Sequence, residues 1–395
     1  MKKLGLLSKL IIGIISGIII GLISKSLNNF RIVRIMSTFS SIFGNFLKFI
    51  IPCIIIGFVA PGIADLGKKA NKLLGLTVVI AYVSTIVAGF SAFLIGSNIL
   101  PKFIKAKELS KNNSINIEPF FTIDMPPIMG IMTALIFAFL IGLGMAHLKS
   151  TNLFNVIDDF QKIMKNTVNA VLIPFIPLHI AGIFAKISAS GEIFYTMKTF
   201  SSVFIMILSL QFIYVLVQYF ISCTFANKNM FEAIKNILPA YFTALGTQSS
   251  AATIPVSLEC SRKNGVDEEI VDFVVPLGAT IHLAGDTITL VLATMAVLLM
   301  SGTTPTFTMM FPFVLMLGIT MVAAPGIPGG GVYATLGLLE KMFMFGTGQQ
   351  GLMIAIHFAQ DSFGTATNVS GDGAIAILVN TINKKIKQVI LNKVN

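Results

Sequence analysis

The chain has no tryptophan, three cysteines, three arginines and little charge of either sign in its 395 residues. Charged residues make up 11% of it, against roughly 25% in a soluble domain. An ordinary water-soluble globule is therefore excluded. Cys53, Cys223 and Cys260 follow no paired or metal-type spacing, so neither a disulfide framework nor a zinc site is expected. No His-Glu-x-x-His and no Gly-x-x-x-x-Gly-Lys-Ser/Thr occurs. A zinc intramembrane protease and a nucleotide-driven P-loop machine are thereby excluded.

What fills the chain is apolar. Hydrophobic residues make up 55%, and the mean hydropathy is +0.86. Several runs reach about 20 apolar residues, the length that crosses a bilayer as a helix. An all-α polytopic membrane protein follows. The basic surplus, 28 Lys+Arg against 17 Asp+Glu, sits at the ends of apolar segments, where the positive-inside bias puts it. Membrane lipid, not nucleic acid, is its partner. Spans are expected near residues 5–25, 34–65, 73–99, 128–147, 163–188 and 194–224. The N-terminal run is too long for a signal-peptide core and lacks a small-residue cleavage site, so it reads as the first span. Lys2, Lys3 and Lys9 put the N-terminus in the cytoplasm; Lys384, Lys385 and Lys387 follow the last span and imply an even number of crossings. The lysines of 102–118 fall outside on this scheme, as its main exception. Gly13, Gly17 and Gly21 recur on one face of the first helix, a pattern that permits close helix packing.

After residue 225 the pattern changes. Segment 245–265 has an apolar approach, a Ser-rich tip with Pro255 and a polar exit. Segment 322–342 has the same form with a Pro-Gly tip. Proline and repeated glycine break helices, and irregular backbone survives in a bilayer only where protein buries it or it lines a cavity. Two re-entrant hairpins with tips meeting at mid-membrane are expected. Between them, 276–288 interrupts another span with a polar centre. Interrupted segments of this kind point to a transporter's binding site.

Segment 358–373 places polar residues inside an apolar stretch. With Asp361 at zero on a helix, Thr365, Asn368 and Asp372 fall at about 40°, −20° and 20°. The four make one stripe. Carboxylates inside a bilayer face a cavity, a partner or a cation, and no Lys or Arg lies nearby in sequence. Hard oxygen ligands suit an alkali cation for one carboxylate, and a substrate ammonium suits the other. In the broken span, His282 and Asp286 stand one turn apart, a spacing for a hydrogen-bonded or proton-sharing pair.

Four motifs now stand in order: "SSAATIPV" (249–256), "PLGATI" (276–281), "GIPGGG" (326–331) and "NVSGD" (368–372). Together they resemble the glutamate transporter family of dicarboxylate/amino-acid:cation symporters. The resemblance runs over the whole chain and is strongest from 240 to 380. It implies eight transmembrane helices plus two re-entrant helical hairpins in an inverted-repeat elevator architecture, assembled as a homotrimer. It implies scaffold helices 1–2 in 1–72, transport-domain helix 3 and an external loop in 73–127, and scaffold helices 4–5 in 128–193. Residues 194–395 then form the rest of the transport domain. A bacterial cytoplasmic membrane with both termini cytoplasmic is the expected location.

The resemblance also implies roles. Asp372, with backbone carbonyls of Gly278, His282 and Asn368, matches a sodium site. A second sodium site matches Thr280, Leu283, Val322 and Ala324. Asp361 matches the aspartate that holds the substrate's amino group, and Thr365 and Asn368 match substrate contacts. Ser249, Ser250 and the Ile327–Gly331 tip match hairpin contacts to the substrate carboxylate. The family's Asn-Met-Asp-Gly-Thr reads "HLAGD" at 282–286. Ala284 removes the aspartate of a third sodium site, whose other partners match Tyr82 and Thr85. His282 brings proton coupling into consideration.

Arginines that pair with an acidic side chain in the family are replaced by Gly364 and Gln248, while Asp286 replaces a threonine. None of Arg31, Arg34 and Arg262 lies at a hairpin tip or on the stripe. A side-chain carboxylate would lack its bidentate partner and meet a like charge. Acidic amino acids are therefore not expected, and a small neutral polar amino acid is favoured. The alternatives are a cationic amino acid, with Gly364 giving room for its longer chain, a small carboxylate with proton coupling, or an ion channel. An enzyme is not expected. The stretch 369–372 lacks the first glycine of the Gly-x-Gly-Asp setting of intramembrane aspartyl proteases.

Overall fold

The computed structural model describes residues 6–68, 72–104, 117–148, 151–322, 324 and 329–394. Every regular element among them is helical. In chain order they are α1 (Leu6–Ser26), α2 (Arg31–Lys68), α3 (Lys72–Phe103), α4 (Ile131–Leu148), α5 (Thr151–Thr167), α6 (Ile173–Ser190) and α7 (Ile193–Ala226), followed by α8 (Met230–Thr247), α9 (Ser250–Lys263), α10 (Glu268–Ile281), α11 (Ala284–Met300), α12 (Phe307–Val322), α13 (Gly330–Phe343) and α14 (Thr347–Val394). Six stretches among the described residues are long and apolar enough to cross a membrane, the longest being Thr151–Ser190. That stretch starts a dozen residues before the expected 163. A π segment, Val168–Leu172, joins α5 to α6 without breaking the rod. Pro174 and Pro177 follow at once. Proline lacks an N–H and clashes with the carbonyl one turn back, and a widened turn is a recognised way to absorb that.

The helices fall into two packed groups. α1 lies along α6, and α2 lies against α4, α5 and α6. The stripe of Gly13, Gly17 and Gly21 faces the backbone of Pro177, Ala181 and Ala185, so a Cβ at any of them would strike α6. In the other group α14 is the centre, packed against α7, α8, α9, α10 and α11, while α3 covers α11 and α12. The groups meet at few marked points. Lys48 of α2 pairs with Glu340 of α13 at 3.0 Å, and Gly351 of α14 lies directly against Ile183 of α6.

The breaks fall close to where they are expected, with one correction. The first hairpin turns at Gln248, which has φ 54°, and Ser249 caps α9 by accepting from the Ala252 N–H. Pro255 is inside α9, not in the tip. The capping serine, whose hydroxyl answers a free N–H of the first turn, sets the start of the helix. α12 ends at Val322 and α13 starts at Gly330, preceded by Gly329 with φ 73°; the rest of the expected second tip lies outside the described residues. α10 and α11 are separated by His282 and Leu283, both outside helical geometry. α14 runs unbroken for 48 residues.

Candidate functional site

The middle of α14 is where the breaks converge. Asp361, Thr365, Asn368 and Asp372 are all buried, as the single stripe requires. Three helix N-termini come to this stretch. At α9, Gln248 Nε2 donates to Ser362 Oγ at 2.8 Å, and Ser249 and Ser250 open the helix. At α11, the Gly285 N–H donates to Asn368 Oδ1 at 2.8 Å. This side chain stands in for the carbonyl that an unbroken helix would offer, so α14 caps α11. The approach is close: a Cβ on Gly285 would meet the Gly364 carbonyl oxygen at 2.5 Å. At α13, a Cβ on Gly331 would lie 3.3 Å from His357 Nε2 and 3.5 Å from Asp286 Cβ. Helix N-termini present free N–H groups and partial positive charge, so the three together favour an anionic group.

The carboxylates are answered unequally. Asp286 Oδ1 lies 3.1 Å from His357 Nε2, and Asn368 Nδ2 donates to Asp286 Oδ2 at 3.0 Å. Both oxygens of Asp286 are engaged. Asp361 Oδ2 is buried with no hydrogen-bond partner among the described residues. Asp286, His357 and Asp361 each bring one ligand-type atom within 4.8 Å of the others.

One expectation is corrected here. His282 and Asp286 do not pair: His282 Nδ1 lies 3.0 Å from Asp372 Oδ1, and the partner of Asp286 is His357. The i,i+4 spacing belongs to an unbroken helix, and the non-helical backbone at 282–283 removes it. Gly364 stands beside the Asp286–His357 pair. A Cβ there would already lie 3.2 Å from Asp286 Oδ1 and 3.2 Å from Gln360 Oε1.

Asp372 belongs to a second polar group. The other face of His282, Nε2, stands 3.0 Å from Ser84 Oγ and 3.3 Å from Gln218 Nε2. Gln218 also donates to Ser84 Oγ at 2.9 Å, and Tyr214 donates to the Ser84 carbonyl at 2.6 Å. Gly278 lies against the Asp372 carboxylate, where a Cβ would meet Oδ1 at 2.7 Å. Of the other expected residues, Thr280 Oγ1 donates to the Leu277 carbonyl and Leu283 precedes α11. Val322 closes α12, and the Ala324 N–H donates to the Met321 carbonyl at 3.2 Å. Ile327 lies outside the described residues. Ala284 is fully buried and offers no ligand side chain. Tyr82 and Thr85 bond to the carbonyls of Leu315 and Ala81.

Sequence reasoning passes over His357, although it lies one turn before Asp361, at about −40° on the same stripe. It also passes over Gln211 and Gln218. Gln211 Nε2 reaches the Gly285 carbonyl, Thr289 Oγ1 and, at 2.7 Å, Gln360 Oε1. Two amides seven residues apart on the otherwise apolar α7 are a readable signal, since polar groups at membrane depth face the interior.

A family model described as the sodium:dicarboxylate symporter family matches residues 6–382. The chain belongs to the sodium:dicarboxylate symporter family. This symporter family member is also similar to the neutral amino acid transporter A of Homo sapiens, 30% identical over 162 residues, which are 41% of this chain and 30% of the relative. It is 34% identical to the excitatory amino acid transporter 1 of Rattus norvegicus over 163 residues, 40% of this chain and 29% of the relative. It is 31% identical to the neutral amino acid transporter B(0) of Mus musculus over 149 residues, 38% of this chain and 27% of the relative. The matched stretch thus spans less than a third of the length of each of these relatives. Membership makes the chain one of a family of sodium-coupled transporters, not of enzymes. Its apolar helices agree with an integral membrane protein.

Proposed function

We propose that the chain is a secondary active symporter that moves a small neutral, polar amino acid across the membrane, driven by a sodium gradient. One observation carries this reading. Asp361 is the carboxylate of its cluster with an oxygen left unpartnered, while Asp286 is fully engaged by His357 and Asn368. The substrate ammonium then goes to Asp361. Its carboxylate goes to the N-termini of α9 and α13, contributed by Ser249, Ser250, Ile327 and Gly331, with Thr365 and Asn368 alongside. Asp286 is not free to call for a second positive charge, and Gly364 and Gln248 offer no guanidinium to an acidic side chain. The names of relatives that carry neutral amino acids support the same substrate class.

One sodium ion is assigned to Asp372 with the carbonyls of Gly278, His282 and Asn368. A second is assigned to the region of Thr280, Leu283, Val322 and Ala324. We take α1, α2, α3, α4, α5–α6, α7, α10–α11 and α14 as the eight crossings, and α8–α9 and α12–α13 as re-entrant hairpins. The group built on α2 and α6 serves as the scaffold of a trimer, and the group around α14 slides as an elevator. The sparse contact between the groups supports this division.

Uptake into proteoliposomes under an inward sodium gradient tests the reading, with labelled serine, lysine and aspartate run in parallel against a choline control. Sodium-driven serine uptake with no lysine or aspartate uptake is expected. Strong aspartate or lysine uptake would overturn the substrate assignment. Ion flux without saturable uptake would make the protein a channel. Uptake that followed a proton gradient and ignored sodium would move the coupling to His282 and Asp372.

A further inference from the structure

His357 is accounted for only in part by its contact with Asp286. It is buried at 1% exposure, Nε2 lies 3.1 Å from Asp286 Oδ1, and Nδ1 is buried with no hydrogen-bond partner among the described residues. Burying a polar nitrogen unpaired costs free energy, so a partner that arrives with the cargo is the natural answer. One nitrogen of the ring and an oxygen of each carboxylate of the cluster lie within 4.8 Å of one another. Gly331 of α13 packs over it, with a Cβ position 3.3 Å from Nε2. A larger residue at 331 would press on the ring, and one at 364 would press on Asp286. The pair is thus seated between two glycines, in space that side chains at those positions would take.

From this juxtaposition we infer that His357, held by Asp286, is the residue that reads the side chain of the substrate, and that it selects a hydroxyl. This rests on the amino-acid reading above. With Asp286 ionised, its carboxylate only accepts hydrogen bonds, so the ring nitrogen on Asp286 carries the proton. The remaining nitrogen is then a bare acceptor if the ring is neutral, or an N–H donor if the ring is charged. A hydroxyl satisfies either state, because it both donates and accepts. A methyl group satisfies neither and leaves Nδ1 unpaired. A site built to bond a hydroxyl rejects the analogue that lacks it more strongly than an apolar pocket rejects an added group. His357 is therefore a specificity-determining residue, with Asp286 and Asn368 as its positioning residues.

The test is a comparison of matched substrates in sodium-driven uptake. Serine is set against alanine, and threonine against 2-aminobutyrate, each pair differing by the hydroxyl alone. Competition constants against labelled serine are read for the natural protein, His357→Leu and His357→Gln. The natural protein is expected to prefer the hydroxylated member of each pair by about tenfold, the equivalent of one hydrogen bond. His357→Leu is expected to bring both ratios close to one, and His357→Gln, which keeps a donor and an acceptor, to retain most of the preference. Equal affinities for serine and alanine in the natural protein would overturn the inference without recourse to any variant, and so would an unchanged ratio in His357→Leu. If His357→Leu fails to fold, His357→Ala, which also removes both ring nitrogens, carries the same comparison. Serine and alanine moving alike would sink this inference alone, whereas no amino acid moving under a sodium gradient would sink the broader reading with it.

Discussion

A carboxylate held at membrane depth costs several kcal/mol unless a partner answers it, and this chain answers its three in three ways. Asp286 has His357 and Asn368, Asp372 has His282, and Asp361 keeps an oxygen open. Asn368 is the hinge of the arrangement, since its oxygen caps α11 and its nitrogen holds Asp286. Asn368→Asp keeps the cap but sets a second carboxylate against Asp286. It is expected to lower sodium-driven uptake at least as much as Asn368→Ala, more than about tenfold, because like charges in a desolvated site repel strongly. An Asn368→Asp variant with near-normal uptake would refute that role. Asp361→Asn is expected to abolish uptake while leaving expression and detergent stability intact, read by size-exclusion chromatography alongside transport. The stripe itself was legible, because helical periodicity places 361, 365, 368 and 372 together whatever the tertiary fold. The pairings were not. They join residues 90 and 71 positions apart, and local spacing carries no trace of such contacts.

At the scale of elements, most of the expected spans and the break between α10 and α11 could be read from apolar length, Pro and Gly, whereas the span expected at 128–147 is a shorter apolar helix, Ile136–Leu148. The turn of the first hairpin could not be placed from Pro255. Proline is the louder signal in the sequence, but a serine cap and a left-handed Gln248 do the turning. Two helix contacts lead to predictions. Gln211 ties α7 to α11 and α14 through three buried acceptors. Gln211→Leu leaves Gln360 Oε1 without this donor, while the Gly285 carbonyl and Thr289 Oγ1 keep each other, and is expected to destabilise the protein by about 1–3 kcal/mol, seen as a lower unfolding midpoint in detergent. Gly17→Leu forces α1 off the backbone of Ala181. It is expected to lower the midpoint as well, whereas Leu at the exposed Ile19 face leaves it unchanged.

Across the whole molecule, the two helix groups touch through a small number of bridges, of which Lys48–Glu340 joins α2 to α13. If the α14 group slides against the α2–α6 group, tethering these positions arrests it. Cysteines at 48 and 340, in a background lacking Cys53, Cys223 and Cys260, are to be joined by a short thiol crosslinker with a cleavable disulfide. Uptake should stop and return on reduction. Full uptake by the crosslinked protein would exclude a relative slide at this bridge. The division into groups was expected only through the family resemblance, and the bridge not at all, since both depend on contacts between helices far apart in sequence.

The unbroken run of α14 has one more consequence. Asp361 and Asp372 are eleven residues apart on a single continuous helix, about 16 Å along its axis. If Asp361 holds the cargo and Asp372 the coupling ion, as proposed, both are bolted to one axle. Any displacement that carries the first aspartate past a barrier then carries the second by the same stroke, with no separate gate needed to keep them in step.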